Sequence, residues 1–207
     1  MYKHFVKRII DIVGSLCGII VLGIPMLIIA GIIKHEDPGP ALFTQKRVGK
    51  KKEGQISYFQ LRKFRSMRLD TPHDVPTHML DNPDQYLLKC GKTLRKYSLD
   101  ELPQMFNILK GDMAIIGPRP ALWNQDDLVA EREKYGANDV KPGLTGWAQI
   151  NGRDELEIPV KARFDGDYAE KESFIMDVKC FLGTIFKVFR AEGVVEGGTG
   201  EMNKKDD

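Results

Sequence analysis

The sequence predicts an α+β protein: an N-terminal helix that enters a membrane, a short basic β-hairpin, and a compact, mostly helical domain with amphipathic helices at the membrane interface. Three observations carry this expectation. Ile12 to Ile33 run for 22 positions without a charge. Ala41 to Val48 and Ile56 to Phe64 read as short strands joined by a Gly49 to Gly54 loop. From Asp84 onward, apolar residues recur at helical spacing. The 207 residues suit one domain with an appendage at either end. The expected division is a re-entrant membrane helix over 1–34, a domain over 35–192, and a polar, glycine-bearing tail over 193–207 whose composition predicts disorder.

As a straight helix the apolar run would be about 33 Å long, close to the hydrocarbon thickness of a bilayer. It is too long for the apolar core of a secretory signal, and no small-x-small site follows it. Two geometries remain, a spanning helix and one that enters, breaks and returns. Pro25 lies inside the run, where it removes a backbone hydrogen bond and crowds the carbonyl of Val21; Gly23 weakens the helix beside it. Lys3, Lys7 and Arg8 precede the run, and Lys34, Lys46, Arg47 and Lys50 to Lys52 follow it. Cytoplasmic flanks collect Lys and Arg, so both ends carry the cytoplasmic signature. A helix broken at Pro25 reconciles the two ends, though the freed carbonyls then need partners in a dry medium. Ser15 is one candidate donor, and Asp11 can pair with Lys7 or Arg8 one turn earlier.

Net charge is +2, but it is unevenly spread. Lys46 to Arg68 holds nine Lys or Arg against one acid, Glu53, which suits a solvated basic loop, an anionic lipid surface, phosphates or nucleic acid. Asp70 to Pro83, with three prolines, reads as a loop. Asp84 to Leu94 reads as a helix. Leu99, Leu102, Phe106 and Leu109 mark a second, running to Lys110 and stopped by Gly111. Met113 to Ile116 reads as a strand, Ala121 to Tyr135 as a polar helix, and Lys141 to Arg153 as glycine-rich and irregular. Glu172 to Arg190 is amphipathic, with a wide apolar face including Phe174, Phe181 and Phe186 that suits either the core or a membrane interface. The three cysteines are far apart and form no CxxC, which argues against a disulfide framework or zinc site and fits a reducing compartment.

The densest chemistry lies between Arg95 and Pro120. Asp100 and Glu101 are adjacent acids in a basic surround, and Ser98 to Glu101 fits a helix-capping box. Capping alone would account for both acids. Against it, Pro103 follows closely, Arg95 and Lys96 lie just upstream, and Pro118 and Pro120 fix the backbone around Arg119. A braced guanidinium can hold its planar fork toward a carboxylate or phosphate. A phosphate at this helix start would meet Asp100 head-on, and two anions are held together by cations. That implies a divalent metal, Mg²⁺, on Asp100 and Glu101. The chemistry suggested is carboxylate attack on phosphorus. Arg153, after the Gly143 and Gly146 loop, is either a further phosphate ligand or a surface residue, and Lys63 in the basic hairpin is another phosphate-binding candidate. Trp147 reads as core. The four histidines show no metal-ligand spacing, and no P-loop, GxGxxG or serine-hydrolase motif is present.

These residues fall into ordered blocks: Lys7-Arg8-Ile9-Ile10-Asp11, Phe43 to Gly49, Phe64-Arg65-Ser66-Met67, Leu94 to Gln104, Asn107 to Met113, Gly117-Pro118-Arg119-Pro120 and Lys141 to Arg153. In this the chain resembles the bacterial sugar transferases, the small monotopic phosphoglycosyl transferases, from residue 7 to about residue 190. Larger members carry additional N-terminal membrane helices, so the resemblance implies a minimal catalytic form. It further implies transfer of a sugar-1-phosphate from a UDP-sugar to polyprenyl (undecaprenyl) phosphate with release of UMP. This would happen at the cytoplasmic face of the bacterial inner membrane, as the first membrane step of glycoconjugate assembly.

By the same resemblance, Asp100 is the nucleophile that forms a covalent phosphosugar intermediate. Glu101 assists with Mg²⁺, and Arg95 and Arg119 match the family's phosphate-contacting arginines. The family's helix break usually carries Ser-Pro, whereas this chain has Ile24-Pro25. The expected partners are the UDP-sugar, the polyprenyl phosphate and membrane lipids, without nucleic acid; nothing in the pattern fixes the number of subunits. Two other readings compete. One is a non-enzymatic, membrane-tethered module that binds anionic lipid or nucleic acid through the basic hairpin. The other is a transferase acting on a lipid alcohol with a CDP-linked donor, a class that generally needs several spanning helices.

Overall fold

The apolar run folds as one long helix, α1 (Lys7–Glu36), preceded by a π-helical turn over Tyr2–Val6. The computed structural model describes residues 2–72, 83–152 and 156–190. The α1 element is helical throughout its 30 residues, with Pro25 inside it. Both ends rest on the same folded domain. Toward the N-terminus, Lys7, Asp11 and Ser15 share one face and are buried. Gly14 and Gly18 bring this face close to its neighbours: an added Cβ would lie 2.7 Å from Ile115 Cδ1 and 2.7 Å from Met105 Sδ respectively. Toward the C-terminus, Met26 and Ile33 join a core cluster with Ala41, Phe64, Leu88 and Leu94. Away from these contacts, Ile20, Val21, Ile24 and Leu27 are 71, 73, 72 and 74% exposed.

Two expectations about α1 are corrected. Asp11 does not take Lys7 or Arg8 as its hydrogen-bond partner; its Oδ1 accepts from the Ile115 amide at 2.8 Å. Lys7 instead pairs with Asp177 at 2.5 Å, and Arg8 donates to the carbonyls of Ile108 and Leu109, filling acceptors at the end of the next helix but one. The Ser15 hydroxyl donates back to Asp11 O at 2.6 Å, so it serves its own preceding turn and not the carbonyls near Pro25.

The hairpin is as expected: β1 (Leu42–Val48) and β2 (Tyr58–Phe64) pair antiparallel, with Phe43 opposite Lys63 and Arg47 opposite Phe59. Residues 73–82 of the proline-bearing loop lie outside the described residues. The helix expected from Asp84 is a 3-10 turn over Pro83–Tyr86 followed by α2 (Lys89–Lys96). Its start is displaced because Glu36, from the end of α1, accepts from the amides of Lys89 and Cys90 and caps it there.

The helix expected from Leu99 to Lys110 is divided into a 3-10 turn over Leu99–Glu101 and α3 (Gln104–Lys110), with Pro103 between them. Gly111 ends α3 in the left-handed region, as expected. A parallel pair follows, β3 (Ala114–Ile116) with β4 (Gly143–Thr145). The second of these strands and α5 (Trp147–Ile150) were hidden in a glycine-rich stretch that reads as irregular. The polar helix α4 covers only Asp126–Glu133, because Ala121 and Leu122 pair with β1 instead of joining it. Helix α6 (Ile158–Lys171) was not anticipated. Its buried positions are Ala162, Asp165, Gly166 and Tyr168, so no apolar stripe marks it.

Helix α7 (Phe174–Arg190) is amphipathic as expected, but its aromatic face is not the packed one. Met176 and Cys180 are buried against Ile116 and Tyr168, while Phe174, Ile175, Phe181 and Phe186 stay exposed. Trp147 packs against that same cluster, which makes it a core residue. The three cysteines are free thiols. The expected disordered tail, 193–207, lies outside the described residues.

Candidate active site

The corner between α2 and α3 presents the acid pair. Ser98 adopts φ 54° and ψ 25°, a left-handed conformation uncommon for a residue with a side chain. It turns the chain out of α2 and into the 3-10 turn. Leu99 and Leu102 then pack onto the cluster formed with the C-terminal half of α1. Between them Asp100 and Glu101 are only 6 and 9% exposed. The capping box is not formed, since Ser98 makes no side-chain cap hydrogen bond. The Glu101 carboxylate is turned elsewhere: its Oε1 accepts from Arg119 Nη2 at 2.7 Å.

Arg119 is held by its backbone. The carbonyls of Pro118, Arg119 and Pro120 each accept a hydrogen bond from a different element: the Gly143 amide at 2.9 Å, Arg132 Nη2 at 2.9 Å and Arg47 Nη1 at 3.1 Å. Arg132 is itself buried on Asp165, at 2.5 Å. The loop sits this close to β4 because glycines face each other across the gap. An added Cβ on Gly143 would lie 2.1 Å from Gly117 N, and one on Gly146 would lie 2.1 Å from Gly117 O. The glycines that make this segment look irregular are therefore what lets β4 brace Arg119.

The other cations come from the hairpin and from α2. Arg95 Nε donates to Ser66 Oγ at 3.0 Å. Lys63 is half-buried on the face of the hairpin that also carries Arg47, with Nζ 5.3 Å from the Phe43 ring centre. Burial pushes the Lys63 ammonium down to about 8; Arg95 and Arg47 add to this, while Asp100 and Glu101 oppose it. Burial likewise pushes the Asp100 carboxyl above the usual carboxylate range. The neighbouring charge of Glu101 adds to the shift, and Lys63, Arg95 and Arg119 resist it. Among the described residues no group donates a hydrogen bond to Asp100. One acid is thus engaged by an arginine, and its neighbour is buried, undonated and within the field of three cations.

Of the residues expected in the site, Asp100, Glu101, Arg95, Arg119 and Lys63 come together. Arg153 lies outside the described residues. Arg47 was missed, although its shared strand face with Lys63 follows from the two-residue period of the hairpin. Arg132 and Ser66 carry no sequence signal of their roles, because each acts through a residue distant in the chain. Among the described residues no group of three or more His, Cys, Asp or Glu could hold a metal. Asp100 and Glu101 offer two carboxylates, the donor type Mg²⁺ takes alongside phosphate oxygens and water.

A buried acid pair thus lies among fixed cations, in a chain whose long N-terminal helix exposes an apolar surface among the described residues. The sequence model of the bacterial sugar transferase family matches residues 2–191, and the chain belongs to that family. It is 36% identical to an uncharacterized sugar transferase of Bacillus subtilis, EpsL, over 91% of this chain and 89% of that protein. It is 37% identical to the UDP-glucose:undecaprenyl-phosphate glucose-1-phosphate transferase of Escherichia coli, over 90% of this chain and 41% of that protein. It is also 36% identical to the galactosyl transferase CpsE of Streptococcus agalactiae, over 93% of this chain and 44% of that protein. The chain thus spans less than half the length of the latter two relatives.

Proposed function

We propose that this chain transfers a sugar-1-phosphate from a UDP-sugar to polyprenyl phosphate, with undecaprenyl phosphate as the natural acceptor. Asp100 attacks the phosphorus that bears the sugar, and the bond to the bridging oxygen breaks. UMP leaves with that oxygen, and the sugar phosphate remains as an acyl phosphate on Asp100. A phosphate oxygen of the polyprenyl acceptor then attacks the same phosphorus, freeing Asp100 and giving a polyprenyl diphosphosugar. The observation that carries this reading is the division of labour in the acid pair: Glu101 is engaged by Arg119, and Asp100 lies among cations with no donor among the described residues. Relatives named for sugar-phosphate transfer to undecaprenyl phosphate support it.

Attack by one anion on another is slow unless charge is already compensated. Arg95, Arg119 and Lys63 supply fixed positive charge and would contact the phosphates; Arg153 is a further candidate. Mg²⁺, held by Asp100 and Glu101, would screen the phosphate charge. The preorganised loop around Arg119 keeps its guanidinium in place before substrate arrives.

The anchor is read as monotopic. Both halves of α1 pack on one domain while Ile20 to Leu27 expose an apolar surface, which supports a helix that dips into the cytoplasmic face of the inner membrane and returns, turning near Pro25. The exposed aromatic face of α7 supports contact with the same interface. Such an anchor places the site where a lipid phosphate lies, as the first membrane step of glycoconjugate assembly requires.

The test is release of UMP from a panel of UDP-sugars with undecaprenyl phosphate and Mg²⁺. Turnover that needs both substrates supports the proposal; no UMP from any UDP-sugar contradicts it.

A further inference from the structure

A charged cavity of about 470 Å³ lies at the N-terminal end of α1, away from the acid pair. Its walls come from the start of α1 (Lys7, Arg8, Asp11), from Lys50 after β1, from Lys141 before β4, and from the end of α6. Four acids, Asp11, Asp139, Glu170 and Glu172, line it beside five cations, and part of this charge is already matched. Lys7 is paired with Asp177 at 2.5 Å, Lys3 reaches Glu172 at 3.8 Å, and Asp139 is paired with Lys51 at 3.2 Å. Asp11 spends its Oδ1 on the Ile115 amide. Among the described residues, Arg8 donates to the main-chain carbonyls of Ile108 and Leu109. Among the described residues, Arg8, Lys50 and Lys141 have no carboxylate within ion-pair distance. Lys141 is also half-buried, and burial and the charges of Arg8, Lys50 and Lys52 push its ammonium below the usual lysine range, against the opposing charge of Asp11.

The surroundings say where the occupant comes from. Beside Lys7 and Arg8 in the chain, Phe5, Ile9, Ile10 and Val13 are exposed, and Phe174 is exposed two residues after the cavity-lining Glu172. Cations at the rim of an exposed apolar surface lie at headgroup depth when that surface is in a bilayer. Free phosphate in solution would have no use for the apolar rim.

We propose that this cavity binds the phosphate of an anionic phospholipid headgroup, at a site separate from Asp100 and Glu101. Arg8, Lys50 and Lys141 hold the phosphate, and the acyl chains leave along the exposed face of α1. The occupant would also steady β4, since the residues after Lys141 carry bonds to the Arg119 loop: the Gly143 amide donates to Pro118 O at 2.9 Å.

The test is native mass spectrometry of the full chain in neutral detergent with phosphatidylglycerol. The wild type is expected to retain one phosphatidylglycerol. K50Q/K141Q is expected to bind it about 30-fold more weakly, at roughly a kilocalorie per mole for each cation. K50R/K141R keeps the charge and is expected to bind as the wild type does. K46Q/R62Q, which removes equal charge from the outer face of the hairpin, is also expected to leave binding unchanged. Equal retention by the wild type and K50Q/K141Q overturns the proposal. So does full displacement of the lipid by glycerol phosphate at millimolar concentration, which would make this a soluble-phosphate site. Because the readout is bound lipid and not turnover, it stands apart from whether the chain transfers a sugar phosphate.

Discussion

Arg119 donates to Glu101 at 2.7 Å, and this contact separates two acids that are otherwise neighbours in the same buried turn. It ties Glu101 to a loop whose carbonyls are anchored to three other elements, and it leaves Asp100 facing cations, with no donor among the described residues. The two acids therefore have different expected fates on substitution. D100N is expected to abolish turnover and labelling by donor. E101Q is expected to lose turnover while retaining some labelling, and R119A to lower kcat by about 10²–10³-fold, as for removal of one preorganised donor. Steady-state UMP release measured beside labelling by donor checks all three; full activity in D100N contradicts the assignment.

Arg132 is a positioning residue, and stability and turnover separate its two bonds. R132M leaves Asp165 buried without its cation, with an expected loss of about 3–5 kcal/mol. R132M/D165L removes the stranded charge and is expected to recover most of that stability. Its kcat is nevertheless expected to stay about tenfold or more below wild type, because the Arg119 carbonyl has lost its donor. Thermal melts beside kinetics make the comparison. Recovery of both together would reduce Arg132 to a structural role.

The charge on Lys63 sets an alkaline limit. Its ammonium is pushed down to about 8, chiefly by burial. As pH rises through that value a cation beside Asp100 is lost, so kcat/KM is expected to fall above about pH 8. K63R keeps a charged group at any working pH, and its alkaline limb is expected to move up by more than one unit. On the acid side Asp100 must be ionised to attack. Its pKa is raised, so activity is lost as pH falls through a value above the ordinary carboxylate range. K63M removes one of the cations resisting that shift, and the acid limb is expected to move further up. A pH series of UMP release reads both limbs; an unchanged alkaline limb in K63R removes Lys63 from the account.

The glycines divide by what faces them. G146A would place a Cβ 2.1 Å from Gly117 O, and its expected effect is a loss of about 1–3 kcal/mol together with lower kcat as the Arg119 loop shifts. G23A meets nothing within 4 Å, so it is expected to be neutral or to stabilise the helix by up to about 1 kcal/mol. Denaturation of the two variants side by side checks this.

The monotopic anchor is open to a labelling test. Single cysteines at positions 3 and 50, in a background lacking Cys17, Cys90 and Cys180, are expected to react with an impermeant reagent from the same face of sealed vesicles. Reaction from opposite faces would make α1 a spanning helix.

Much of this was legible in the chain. The hairpin showed in its alternation, α1 in its missing charges, and the site in the density of charge from Arg95 to Pro120. What stayed hidden was carried by contacts between distant residues. The Ser98 to Glu101 pattern promises a cap, yet Arg119 outcompetes the backbone for Glu101. The stretch after Lys141 looks irregular because its glycines are needed for a close approach to Gly117, and composition cannot tell a loop from a tightly packed strand. Helix α6 buries Ala162, Asp165 and Gly166, which leave no apolar period to read. Arg132 looks like any surface arginine of a polar helix until Asp165 is placed beside it.

The most direct test of the central claim is mass spectrometry of the protein quenched during a single turnover with donor and Mg²⁺ but no acceptor. The account predicts an adduct with the mass of the sugar phosphate, mapped to Asp100 and discharged when polyprenyl phosphate is added. An adduct on another side chain, or UMP release that strictly requires acceptor and leaves the protein unmodified, would contradict it.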